Sequence, residues 1–223
     1  MKLESVKAVV FDLDHTLVRS AVDFMEMRTG VIEHLEKRFP SFGKFDKSKP
    51  TYEITERAVA KMQEQGLSKA VPEILMEING IMNKVEMKYA SKATLIEGAK
   101  ETLAKLKKAG LKVGILTRGC REYTEEVLKI NDLSELVDAV AARDDSLTPK
   151  PDPAQVYWLM TRMKVNADEV VMVGDHPVDA LCARNAGIRF VGVLTGSWRK
   201  EQTEQLGSVV IPSVKELPDL LDI

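Results

Sequence analysis

Asp12 and Asp14 stand one residue apart at the exit of an apolar, strand-length run over residues 6–11, inside Asp12-Leu13-Asp14-His15-Thr16. Carboxylates so placed pack badly, but they can hold a cation beside a reactive oxygen and offer a nucleophile and a proton carrier on one face. Acidic pairs also mark ordinary turns and helix caps, so the pentapeptide alone leaves both readings open. Three further sites bear on the choice. Residues 111–116 form a second apolar run, which ends on the hydroxyl of Thr117 and is followed by Arg118 and Gly119. Lys150 lies between Pro149 and Pro151 ahead of a helical pattern. Residues 170–173 are another apolar run, released by Gly174 into Asp175-His176-Pro177-Val178-Asp179.

In this order the four sites resemble the motifs of the haloacid dehalogenase superfamily of phosphohydrolases, and the likeness spans nearly the whole chain. Asp12 and Asp14 match the first motif, Thr117 the second, Lys150 the third, and Asp175 with Asp179 the fourth. The stretch from Asp179 to Gly187, followed by Val191-Gly192-Val193-Leu194-Thr195-Gly196, is similar to the helix and strand that follow the fourth motif in members of the phosphoglycolate-phosphatase type. His15 departs from the pattern, because many relatives have glycine there.

The resemblance implies a division of labour. A phosphate monoester resists nucleophiles because it is anionic, so a site must neutralise its oxygens and hold the attacking group in line. Asp12, Asp14, Asp175 and Asp179 would repel such a substrate without a divalent cation among them, and all-oxygen ligation points to Mg2+ over zinc. Asp12 and Asp175 are the implied side-chain ligands, with the Asp14 backbone carbonyl as a third and Asp179 acting through water or by orienting a neighbour. Asp12 would attack phosphorus, and Asp14 would protonate the leaving alcohol and then activate water. Thr117 and nearby backbone amides would bind phosphoryl oxygens, and Lys150 would place a fixed positive charge where negative charge gathers. A carboxylate at position 14 speaks against the dehalogenase branch. A phosphomutase uses the same motifs, and a catalytically inactive relative that binds a phosphorylated ligand is a further alternative.

Specificity must come from groups beyond the phosphate. Arg118 could grip a second anion such as a carboxylate, or be a surface arginine. His15 could contact the leaving group, or pack at a hinge. His176 could serve only to shape its loop, and Cys120 reads as a small loop residue. The expected partner is a small phosphorylated metabolite, with 2-phosphoglycolate suggested by the resemblance alone.

The elements that must position these residues are strand-length runs at about 6–11, 111–116, 137–141, 170–173, 190–194 and 208–211, with helical periods between most of them. This alternation predicts an α/β fold, a three-layer Rossmann-like parallel sheet covered on both faces. Residues 98–110 read as an intervening helix with Leu103 and Leu106 inward, and Asp152 and Pro153 as the cap and first turn of another. The interval 19–93 instead reads helix after helix, at 21–39, 51–65 and 71–92. It is expected to be an inserted all-helical cap domain, leaving 1–18 and 94–223 as the catalytic core. Met25, Met27, Met62, Met76, Met82 and Met87 fall in that interval and read as adaptable interior filler. With 44% hydrophobic and 30% charged residues and a net charge of −2, the 223 residues suit a globular protein and give no electrostatic case for nucleic acid or membrane partners. Two cysteines without metal-ligand spacing, and the lack of a signal-like start or bilayer-length apolar stretch, predict a cytoplasmic location with reduced thiols.

Overall fold

The computed structural model describes residues 5–145, 148–196 and 209–223. Among these, six strands form one parallel sheet: β1 (Ala8–Phe11), β4 (Lys112–Leu116), β5 (Ala139–Ala141), β6 (Val170–Gly174), β7 (Arg189–Val193) and β8 (Val209–Ile211), in the spatial order β5-β4-β1-β6-β7-β8. Ser208, at the start of the last expected run, lies outside the described residues. Every residue of β1 is fully buried, which is why this strand is apolar throughout instead of alternating. Its neighbours pair in register, Phe11 with Ile115 of β4 and with Val173 of β6.

Side chains leave a strand on alternate faces, so each strand feeds two cores. Ala8 and Val10 of β1, with Val170 and Met172 of β6, pack with Val156, Leu159 and Met163 of α6 (Ala154–Met163) and Ala180 and Ala183 of α7 (Pro177–Ala186). The opposite positions, Val9, Phe11, Val113, Ile115, Val171 and Val173, are also fully buried. On that side α4 (Ala99–Lys108) packs on β4 and buries Leu103 and Leu106 completely. The result is the three-layer Rossmann-like arrangement that strand–helix alternation predicts. A two-stranded antiparallel ribbon, β2 (Val18–Arg19) with β3 (Thr94–Leu95), was not anticipated from the sequence; two residues per strand carry no periodicity to read.

By its internal contacts the chain divides into Met1–Ser20 with Ser91–Ile223, and Ala21–Ala90. The second unit is all helical: α1 (Phe24–Arg38), α2 (Thr51–Glu64) and α3 (Val71–Ala90). Asp23 caps α1, its carboxylate accepting the Met25 and Glu26 N–H groups at 3.0 and 2.9 Å. Met27, Val31, Ile32 and Leu35 of α1 meet Ile54, Ala58 and Met62 of α2 and Ile74, Ile78 and Met82 of α3 as this unit's interior. The reading of the methionines as filler holds for Met27, Met62 and Met82, which are buried, and in part for the half-buried Met87. Met25 and Met76 are 56% and 73% exposed, since each falls on the outward side of its helix. Among the described residues no helix is long and apolar enough to cross a membrane.

Leu103→Ala should lower unfolding free energy by about 2–5 kcal/mol in urea titration, from lost apolar burial and the cavity left behind. Exposed Lys108→Ala on the same helix should stay within about 0.5 kcal/mol.

Candidate active site

Parallel strands in register end together, and β4, β1 and β6 release Thr117, Asp12 and Asp175 at the same edge of the sheet. Asp12 extends β1 by one step, its N–H donating to the Val173 carbonyl at 2.9 Å. This carboxyl edge, flanked by strands that run outward in both directions from β1, is where open α/β sheets gather ligands.

Lys150 stands at the centre of the cluster. Its Nζ donates to Asp12 Oδ1 at 2.6 Å and to Asp179 Oδ1 at 2.7 Å, and the side chain is 2% exposed. An ammonium this deeply buried is tolerated only when paired. Burial alone would lower its pKa, but the Asp12 and Asp179 carboxylates outweigh that and raise it, so the residue stays charged. Burial pushes the Asp12 carboxyl up; Lys150 opposes this, while Asp179 and Asp175 add to it. Thr16, fully buried, directs its hydroxyl to the space between Asp12 Oδ2 and Asp175 Oδ1, at 3.3 and 3.4 Å.

Asp179 has two tasks, one for each oxygen. Oδ1 holds Lys150, and Oδ2 accepts the His176 N–H at 3.1 Å as part of the box that starts α7. His176 completes that box by accepting the Val178 N–H on Nδ1 at 3.2 Å. Burial lowers the pKa of this imidazole, favouring the neutral form that an accepting Nδ1 requires. Two glycines leave room for the carboxylates. A Cβ on Gly174 would lie 2.6 Å from the Cβ of Asp179, and one on Gly196 would collide with the carboxylate of Asp175. Neither Gly196 nor Thr16 was singled out from the sequence, although Thr16 lies within the first motif.

Asp12, Asp175 and Asp179, all buried, each present an oxygen within 4.8 Å of the others. Three hard oxygen donors with no histidine or thiolate among them fit Mg2+. The Asp14 side chain is not in this group. Its Oδ1 accepts a 2.5 Å hydrogen bond from the Tyr123 hydroxyl, on α5 (Arg121–Ile130). The sequence reading missed Tyr123; the available signal was a tyrosine on the inward stripe with Val127, whose hydroxyl would need a partner once buried.

Thr117 is buried, and its Oγ1 accepts the Gly119 N–H at 2.9 Å, leaving its own hydrogen available to donate elsewhere. Arg118 is half-exposed, and its carbonyl accepts from Arg143 Nη1 at 2.6 Å. His15 has φ 62°, in the left-handed region that costs residues other than glycine about 1–2 kcal/mol. Its carbonyl is tied by Thr195 Oγ1 at 2.6 Å. Cys120 is a buried helix cap, its Sγ accepting the Tyr123 N–H at 3.5 Å. Asp152 and Pro153 sit one residue earlier than expected: Asp152 accepts the Ala154 N–H at 2.8 Å while Pro153 precedes the first helical residue.

The haloacid dehalogenase-like hydrolase family matches the chain over residues 9–193. Phosphoglycolate phosphatase of Photorhabdus laumondii is 29% identical over 195 residues, covering 87% of this chain and 82% of the relative. Pyrophosphatase PpaX of Bacillus velezensis is 34% identical over 138 residues, 61% of this chain and 62% of the relative. A phosphatase structure of this superfamily from Thermococcus onnurineus shares the fold, with a TM-score of 0.62 at 24% identity over 97% of this chain and 98% of that one.

Gly174→Ala should force Asp179 away from its present position, lowering stability by about 1–3 kcal/mol through overpacking. Added Mg2+ should raise the thermal midpoint of the unaltered protein, and Gly174→Ala should shrink that rise, as measured by thermal denaturation with and without the ion.

Proposed function

Because the chain belongs to the haloacid dehalogenase-like hydrolases, we propose that it is a Mg2+-dependent phosphatase that cleaves a small phosphate monoester through an aspartyl-phosphate on Asp12. The observation that carries this reading is the buried ammonium of Lys150, held by Asp12 and Asp179 at the edge where Thr117 also ends its strand. Mg2+ would be held by Asp12, Asp175 and the Asp14 carbonyl, with Asp179 beside them, and would supply neutralisation of the phosphoryl oxygens when bound.

The chain's own groups account for the rest. Lys150 keeps Asp12 in a single orientation and, staying charged, counters negative charge as it builds on the phosphoryl group. Asp12 Oδ attacks phosphorus while the ester oxygen departs. Asp14, set apart from the carboxylate cluster by its bond to Tyr123, protonates that oxygen and later takes a proton from the water that opens the acyl phosphate. Thr117 donates its hydroxyl hydrogen to a phosphoryl oxygen. Arg118 and His15 are the candidates for reading the remainder of the substrate. 2-Phosphoglycolate leads the candidates, supported by the name of the Photorhabdus relative, and pyrophosphate follows from that of the Bacillus relative. Two free cysteines accord with a reducing, cytoplasmic setting.

A panel of 2-phosphoglycolate, pyrophosphate and sugar phosphates assayed for phosphate release with Mg2+ should identify at least one substrate, and chelation should stop its turnover. Asp12→Asn should abolish release while the protein still folds; activity retained in that variant would refute the covalent route. Asp14→Asn should lower kcat on the same ester by about 10²- to 10⁴-fold, the range of general acid–base catalysis.

A further inference from the structure

Tyr123 is fully buried beside Asp14, the residue assigned to acid–base transfer. Its Oη donates to Asp14 Oδ1 at 2.5 Å and lies 3.1 Å from Ser20 Oγ. A phenol has one hydrogen. With that hydrogen committed to Asp14, Ser20 must be the donor in the second contact, so the three groups form a directed chain from Ser20 through Tyr123 to Asp14. The ring cannot easily turn away. Tyr123 is anchored in the first turn of α5, its N–H bonded to Cys120 Sγ, and a Cβ on Gly119 would lie 2.8 Å from the ring.

We infer that Tyr123 is a positioning residue for acid–base transfer, whose hydroxyl fixes the Asp14 carboxyl and selects which of its oxygens carries the proton. This role rests on the phosphatase reading above. An oxygen already accepting a short hydrogen bond is the poorer site for a proton, so Oδ1 stays an acceptor and the transferable proton sits on Oδ2. The half-buried Asp14 can then turn Oδ2 toward a leaving oxygen without losing its anchor. No proton crosses to Tyr123: the O–H bond that breaks is on Asp14 Oδ2, and the bond that forms is on the departing alkoxide. When Asp14 is ionised the same phenol stabilises the carboxylate, and in that state the carboxylate activates water.

Tyr123→Phe keeps the ring and removes only the hydroxyl, so it separates anchoring from packing. The readout is kcat/KM, which reports the steps through departure of the alcohol, for two substrates of the same enzyme. One is the best alkyl phosphate ester from the panel. The other is p-nitrophenyl phosphate, whose nitrophenolate leaves with little need of a proton. The expected result is a loss of about tenfold or more on the alkyl ester, the worth of a hydrogen bond to a charged group, against about twofold or less on the aryl ester. Equal losses on both esters, or no loss on either, overturn the role. Absence of turnover by the unaltered protein on either ester overturns the phosphatase reading and this role with it, which distinguishes the two failures.

Discussion

The site depends on placing charge at the buried carboxyl ends of apolar strands. β1, β4 and β6 converge on a region where an isolated carboxylate or ammonium is costly by several kcal/mol, and the ion pairs of Lys150 with Asp12 and Asp179 make those charges tolerable. A pair of this kind adds little net stability over an apolar replacement. Its effect is on geometry, since each member has few alternative places for its charge. Three elements distant in sequence, the end of β1, the loop before α6 and the first turn of α7, are thereby held to one arrangement. The fold supplies the position, and the charges supply the orientation.

The start of α7 shows how local and long-range demands share one residue. A helix N-terminus favours an acidic residue in its first turn, and Asp179 meets that demand through His176 N–H while its other oxygen faces Lys150. By residue type alone, an aspartate in a first helical turn is explained equally by capping or by site chemistry. In the folded chain they are compatible, because a carboxylate has two oxygens. Gly174 is what makes this dual use sterically open, by leaving no Cβ against Asp179.

Much of this was legible in the sequence because the signals were strong and local. Fully apolar runs such as residues 170–173 predict buried parallel strands, and their exits mark where Asp12, Thr117 and Asp175 emerge. What escaped was set by tertiary contact. Tyr123 sits on a helix whose pattern says only that it faces inward, and nothing nearby in sequence indicates Asp14 as its partner. Gly196 matters because of Asp175, on a neighbouring strand's exit. Met25 and Met76 could not be told from their buried counterparts by residue type, and their helix faces decided it. His15 was visible as a departure from the family pattern, but its left-handed backbone was not.

The sheet order has a consequence for the history of the chain as it is made. Among the described strands β1 comes first in sequence and lies in the middle of the sheet, yet the partners of its Val9, Val113 and Val171, come more than 100 and 160 residues later. The segment Ala21–Ala90 contains its own interior and is finished before either partner exists. On a ribosome the helices can therefore settle early through near-neighbour contacts, while a short, wholly apolar strand waits unpaired at the N-terminal side. The candidate site therefore cannot be completed before β6 has been made, a delay imposed by topology and not by the chemistry proposed for it.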